Sequence, residues 1–85
     1  MVIIFHSIFK KKFKKLSLKI QDCFCDRIIL FENNKFNPIL NNHSVEKRFP
    51  DCRSINITGD YRAIFKEGKA NVYIFVNIGT HSELY

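Results

Sequence analysis

The chain has 85 residues, 46% of them hydrophobic, nine of them phenylalanine, with few glycines or prolines and a formal net charge of +6. So short a chain is expected to form one domain over residues 1–85, with a modest core and no room for a large cofactor pocket. Any chemistry must then lie on an exposed face, and a partner that shares the burden of stability would suit this size.

The charge excess is local. Residues 1–20 carry Lys10, Lys11, Lys12, Lys14, Lys15 and Lys19 and no acid, while the rest of the chain is balanced. That asymmetry points to a polyanionic partner: nucleic acid, an acidic protein or an anionic membrane surface. The three cysteines, Cys23, Cys25 and Cys52, are odd in number, and Met1–Phe9 has neither a charged start nor a cleavage site. A disulfide framework is therefore not expected, and a reducing cytoplasm is the expected setting. Cys23 and Cys25 lack zinc spacing and have no second pair. No apolar run approaches the roughly 18 residues needed to cross a membrane.

Val2-Ile3-Ile4-Phe5 is a β-branched apolar run that predicts a buried strand. Ser7 offers a helix N-cap. Phe9, Phe13, Leu16 and Ile20 follow at helical spacing, and Phe24, Ile28 and Phe31 continue the stripe. The region from Ser7 to Phe31 is expected to form two antiparallel helices, or one bent helix, with Ser17 at the break. Residues 33–38 form a loop ending in proline, and Leu40 to Pro50 stays loop-like. Beyond Pro50 the period becomes two: Ile55 and Ile57 alternate with Ser54, Asn56 and Thr58. Thr58-Gly59-Asp60 reverses the chain, Tyr61 to Phe65 is the next strand, Glu67-Gly68-Lys69 turns again, and Val72 to Ile78 is an apolar central strand. The predicted class is α+β, in the order β-α-α-β-β-β: a small antiparallel meander sheet, joined by the first strand, with two helices packed on one face. The opposite face is free to meet solvent.

Three stretches carry a resemblance. Residues 52–65 (CRSINITGDYRAIF), the ending 78–85 (IGTHSELY) and the step 40–45 (LNNHSV), with Arg53 ten residues after His43, are similar in order and spacing to the RelE/ParE toxin superfamily, closest to its RelE/YafQ-type members. The likeness spans the whole chain. It implies the toxin half of a bacterial type II toxin–antitoxin pair: a ribosome-dependent endoribonuclease (mRNA interferase) that cuts translated message without a metal or other cofactor. The partners implied are an antitoxin protein, the ribosome with its rRNA, and mRNA; no membrane or small-molecule cofactor is expected.

The residue types suit that chemistry. In such a cleavage the ribose 2′-hydroxyl is the nucleophile, so the protein must move protons and stabilise charge. His81, at the position of a catalytic histidine in YafQ-like members, carries an imidazole, a group that can give or take a proton. Arg62 can grip a phosphate bidentately, or else pair with Asp60 or Glu83. Asp60 matches a YafQ-like acid that could orient His81 or act as a base; a Gly-Asp turn is its ordinary alternative. His43 matches the histidine of the 40–45 step, on a loop free to reach RNA. Tyr85 matches a C-terminal aromatic that stacks on a base. Arg53 is assigned to backbone phosphate. Lys10, Lys11, Lys12, Lys14 and Lys15 are assigned to ribosomal RNA phosphates rather than to a merely solvated face.

The chain also departs from the pattern. Asn56 stands where some YafQ-like members have another histidine, and Lys47 and Asp51 replace loop glycines, which puts the placement of His43 in question. Two rivals follow: a ParE-like inhibitor of DNA gyrase, which needs no proton-transfer residues, and a degenerate toxin that only binds antitoxin or RNA.

Overall fold

The computed structural model describes residues 1–85. Its elements are β1 (Val2–Phe5), α1 (Ser7–Lys14), α2 (Leu18–Asn33), a 3-10 turn (Pro38–Leu40), β2 (His43–Ser44), β3 (Cys52–Asn56), β4 (Tyr61–Glu67), β5 (Val72–Thr80) and α3 (His81–Leu84). The five strands form one sheet in the order β1-β5-β4-β3-β2. β1 runs parallel to β5, and every other pair is antiparallel.

The expected helical region is two helices, because Ser17 is the N-cap of α2: its hydroxyl accepts the Ile20 amide at 3.3 Å. The cap of α1 is His6 rather than Ser7; its Nδ1 accepts the Ile8 amide at 3.1 Å, and Ser7 is the first helical residue. An imidazole nitrogen one residue upstream does the work expected of the hydroxyl.

Phe9, Phe24, Phe31, Leu40, Ile55, Ile57, Ala63, Phe65, Tyr73, Phe75 and Ile78 form the main core, between the helices and what we call the inner face of the sheet. β1 differs from expectation. It is an edge strand, so Ile3 and Phe5 pack on the core while Val2 and Ile4 are exposed. The β4–β5 turn also differs. Its left-handed positions are Ala70 (φ 57°) and Asn71 (φ 62°), downstream of Gly68, which has no positive φ.

One irregularity positions everything that follows. Ile64 faces Asn77 while the next residue, Phe65, faces Phe75, so Val76 is an extra residue in β5. Such a bulge shifts the side-chain phase of the strand that carries it. Before it, Tyr73 and Phe75 point inward; after it, Ile78 does, as the partner of Ala63. Asn77 and Gly79 therefore join the outer face, together with Ile64 and Arg62. A smaller cluster of Val45, Cys52, Ile64 and Leu84, with Phe49 and Val76 beside it, covers part of that face.

Candidate active site on the outer face

Strand register places two rows of outer-face side chains side by side. One row runs Asn56, Arg62, Gly79; the other runs His43, Ser54, Ile64, Asn77. Leu84 folds α3 back onto the second row, against Ile64, and the Arg48 Nε–H donates to the Leu84 carbonyl at 3.0 Å. The first row lies beside this cluster, at the end of the sheet where α3 begins, with Asn56 and Arg62 half-buried and Gly79 buried.

Arg62 is the central cation of that row. Its guanidinium donates to the carbonyls of Thr58 (3.0 Å), Tyr61 (3.1 Å) and Gly59 (3.2 Å) and forms no ion pair with Asp60 or Glu83. The turn carbonyls fix the side chain without cancelling its charge, and its Nε–H has no protein partner. A half-buried, positioned and unneutralised guanidinium is suited to a phosphate.

His81 is the first residue of α3, just after the cap residue Thr80. Thr80 and Glu83 form a reciprocal capping box: the Glu83 amide donates to Thr80 Oγ1 at 3.3 Å and the Thr80 amide to Glu83 Oε1 at 2.7 Å. The Thr80 amide, and after it the Thr80 hydroxyl, hold the Glu83 carboxyl below its usual range, with Lys12 adding a smaller push in the same direction. The His81 residue is exposed and its ring lies against that of Tyr85, with centroids 4.9 Å apart and the planes tilted by 42°. Tyr85 also meets Phe49 edge-on at 6.2 Å. His81 and Tyr85 thus form one exposed aromatic pair at the end of the sheet.

Asp60 lies in the turn before β4, where the Thr58-Gly59-Asp60 reversal predicts it, so it shares no strand face with Arg62. Its link to His81 runs through backbone, since the His81 amide donates to the Asp60 carbonyl at 2.9 Å. The carboxylate has no hydrogen-bonded partner and does not orient the imidazole. His43 is not on a free loop: it lies in β2, at the sheet edge, paired with Ser54. Its Nδ1–H donates to the Asn41 carbonyl at 2.7 Å, which makes Nε2 the basic nitrogen of the neutral ring. Three strand spacings of ~4.8 Å put His43 about 14 Å from Asn77 across the sheet. In the loop before β3, Asp51 adopts a left-handed backbone (φ 63°), a conformation that a glycine would take without strain.

Arg53 belongs elsewhere. It pairs with Phe65, so it points to the inner side, where its Nε–H donates to Asn42 Oδ1 at 2.7 Å and its guanidinium covers Phe36. The structure does not bring it together with Arg62 and His81. Of the basic helix, Lys10, Lys11 and Lys14 are exposed, as is Lys15 at its C-cap, but Lys12 is half-buried and donates to Asn77 Oδ1 at 2.7 Å. Sequence reasoning treated these lysines alike. The signal that separates Lys12 is helical phase, since it lies three residues from buried Phe9 and four from Leu16. Asn77, Gly79 and Glu83 were also missed, hidden by the bulge. Two outer-face atoms, Ser54 Oγ and Asn56 Oδ1, are buried without a hydrogen-bond partner.

No group of three or more His, Cys, Asp or Glu side chains is arranged to hold a metal ion. No helix is long and apolar enough to cross a membrane.

Sequence comparison finds no matching family model and no matching curated protein. Comparison of structures does find matches. YafQ from E. coli strain BL21(DE3) superposes with a TM-score of 0.77 at 20% identity, covering 98% of this chain and 96% of that one. A YoeB/ParE toxin from Agrobacterium tumefaciens gives a TM-score of 0.77 at 12% identity, over 95% of this chain and 99% of that one. The toxin of the E. coli DinJ-YafQ toxin-antitoxin complex gives 0.75 at 20% identity, over 98% and 94%.

Proposed function

The chain has the fold of the RelE/YafQ-type toxins, and from that premise we propose that it is the toxin of a type II toxin–antitoxin pair, an endoribonuclease that cuts message on the ribosome in the cytoplasm. The observation that carries the reading is the placement, on adjoining positions of β4 and the β5–α3 junction, of an Arg62 without an ion pair and the exposed His81–Tyr85 aromatic pair.

The reaction needs little from the protein beyond what these groups offer. The ribose 2′-oxygen attacks the adjacent phosphorus, the bond to the 5′-oxygen breaks, and the products are a 2′,3′-cyclic phosphate and a 5′-hydroxyl. A proton leaves the 2′-hydroxyl and another reaches the departing oxygen. The exposed His81 imidazole serves that exchange. Arg62 stabilises the charge that builds on the non-bridging oxygens. Tyr85, held against His81 and Phe49, presents a ring face on which a base stacks. The exposed lysines Lys10, Lys11, Lys14 and Lys15 supply general attraction to ribosomal RNA, weakened by salt.

The antitoxin fits along α1. Phe5, Phe9, Phe13 and Phe24 line an apolar groove of about 360 Å³ with Lys10 and Lys14 at its rim. That combination suits an acidic amphipathic segment, its apolar side in the groove and its carboxylates on the lysines. The DinJ-YafQ complex shows that a toxin of this fold is held by a protein partner.

The test is translation-dependent cleavage. Wild type and His81→Ala are expressed in turn, and new RNA 5′ ends are mapped on an actively translated message. Cuts in codon register are expected from the wild type, falling by about 10²–10⁴-fold in the variant, the usual worth of a general acid or base. Growth arrest without such cuts, unchanged in the variant, would overturn the nuclease reading in favour of gyrase inhibition. A wild type that neither cuts nor arrests growth would mark a degenerate toxin.

A further inference from the structure

Beside the His81–Tyr85 pair, between the loop that follows β2 and the end of α3, lies a hollow of about 400 Å³. Ser44, Glu46, Lys47 and Arg48 line one side of it and Tyr85 the other. The loop is held by its own backbone. The Val45 carbonyl accepts the amides of Arg48 (3.0 Å) and Phe49 (2.8 Å), which closes one helical turn, and the Val45 amide donates to the Cys52 carbonyl at 3.1 Å. The Asp51 amide donates to Glu46 Oε2 at 2.6 Å. Two contacts tie this turn to α3: the Arg48 Nε–H donates to the Leu84 carbonyl at 3.0 Å, and Phe49 meets Tyr85 edge-on at 6.2 Å. The two walls of the hollow are therefore fixed relative to each other.

The lining is cationic on one side and aromatic on the other. Arg48 commits only its Nε–H to Leu84, so its two terminal nitrogens carry donors without a protein partner. Lys47 and Arg48 are exposed, and neither forms an ion pair, since the ion pair within 4.0 Å in this protein is Lys35–Glu67. Glu46, the acid of the same wall, has one carboxylate oxygen taken by the Asp51 amide. Across the hollow Tyr85 is 40% exposed, with its ring against that of His81 at a centroid distance of 4.9 Å. A guanidinium fork and an ammonium across one hollow from an aromatic ring match the two halves of a nucleotide. The phosphate finds donors, and the flat base finds a ring.

We propose that this hollow is a nucleotide subsite beside the cleavage centre, with a base stacked on Tyr85 and the phosphate of the same nucleotide held by Arg48 and Lys47. The proposal rests on the nuclease reading for RNA as the source of that nucleotide, while the geometry that forms the subsite is separate from Arg62. Because the hollow adjoins His81, it holds a nucleotide next to the bond that breaks, and it aligns the message without reacting with it. Lys47 departs from the toxin pattern in sequence, and here it becomes a substrate contact and not a mark of decay. Arg48 has two tasks: its Nε–H anchors α3, which carries His81, and its terminal nitrogens grip the substrate. Filling of the subsite and placement of His81 are thus joined through one side chain.

The experiment has two arms. In the first, the free protein is titrated with adenosine 5′-monophosphate and with ribose 5-phosphate, which lacks the base, while the amide resonances of residues 44–48 and Tyr85 are followed. The nucleotide should move those resonances and bind about 10-fold more tightly than ribose 5-phosphate, the worth of one stacked base. Tyr85→Leu should remove that advantage. Lys47→Met should weaken nucleotide binding by about 3-fold, the worth of an exposed ion pair. Lys69→Met, in the exposed β4–β5 turn, removes the same charge and should bind as the wild type does. Resonances that do not move, equal affinity for the two probes, or a Lys47→Met that matches either the wild type or Lys69→Met overturns the proposal. In the second arm, message cleavage on ribosomes is followed across enzyme concentrations. Lys47→Met should need more enzyme to reach half its own maximal rate, and an unchanged half-point overturns the proposal. A wild type that shows the nucleotide pattern yet cuts no message sinks the nuclease reading while leaving the subsite standing.

Discussion

The two faces of the sheet share the same strands and follow different rules. On the inner face Phe75 is fully buried, and its ring meets those of Phe5 (6.1 Å), Phe9 (6.0 Å), Phe24 (5.7 Å), Phe31 (5.6 Å) and Phe65 (5.4 Å). On the outer face the apolar contribution is a cluster of four buried side chains, and beside it Ser54 Oγ and Asn56 Oδ1 are buried without partners. The inner face satisfies every rule of a stable core. The outer face breaks several where the candidate chemistry lies, as expected when a polar site shares a sheet with a core. Stability and activity should therefore separate by face.

The largest effect should come from Phe75→Ala, which empties the centre of the aromatic cluster and should cost about 3–5 kcal/mol in denaturant unfolding. A loss below about 1 kcal/mol would show that the inner face is not where stability resides. Leu84→Ala should cost less, about 2 kcal/mol, because a short terminal helix can adjust around the gap. It should also lower cleavage by the molecules still folded, since α3 carries His81 and Tyr85. Unchanged cleavage would mean that the Leu84 anchor does not place His81. Ser54→Ala reverses the sign: removing an unpartnered buried hydroxyl should raise stability by up to about 1 kcal/mol. A clear loss would show that the hydroxyl has a partner in solution.

The smallest effect is one of pH. Glu83 is held below its usual carboxylate range by its bonds to Thr80. A depressed carboxylate stabilises the folded form above its unfolded pKa, and that support disappears as pH falls through the lower, folded value. The Thr80 and Glu83 amide resonances should shift together as the α3 cap opens in acid, with the rest of the sheet unaffected. In Glu83→Gln the step should vanish. A step that persists in the variant would assign it to another group.

Much of this architecture was legible in the sequence. The stripe from Phe9 to Phe31 and the two-residue period after Pro50 gave the class, the element order and most of the inner core, because both signals report which side chains escape water. The outer face was less legible. Arg62, His81 and Tyr85 could be named from their motif, whereas Lys12, Asn77 and Gly79 could not, because their meeting depends on the extra residue Val76. In the run Val72 to Ile78 nearly every side chain is apolar, so no alternation was there to be seen breaking. Arg53 and Arg62 looked alike as strand cations; Arg53 lies opposite Phe65, three residues along β4 from Arg62, and that odd offset sends them to opposite faces. Asp60 was placed in its turn correctly, but that its carboxylate makes no bond to His81 was not legible, because the contact between the two residues is made by backbone.

The parallel pairing of β1 with β5 has a consequence for synthesis. β1 has no other partner in the sheet, and its ladder runs from Val2 opposite Val72 to Phe5 opposite Phe75. The first strand to leave the ribosome must wait for the last. Until residues 72–75 emerge, the phenylalanines of α1 and α2 lack Phe75, Lys12 lacks Asn77, and α3 does not exist. Pairing between such distant segments is slow, because the loop must close before any contact rewards it. A nascent chain therefore carries the α1 lysines early but acquires the candidate site only once residues 72–85 have emerged, and a chain released before then would hold the lysines without that site.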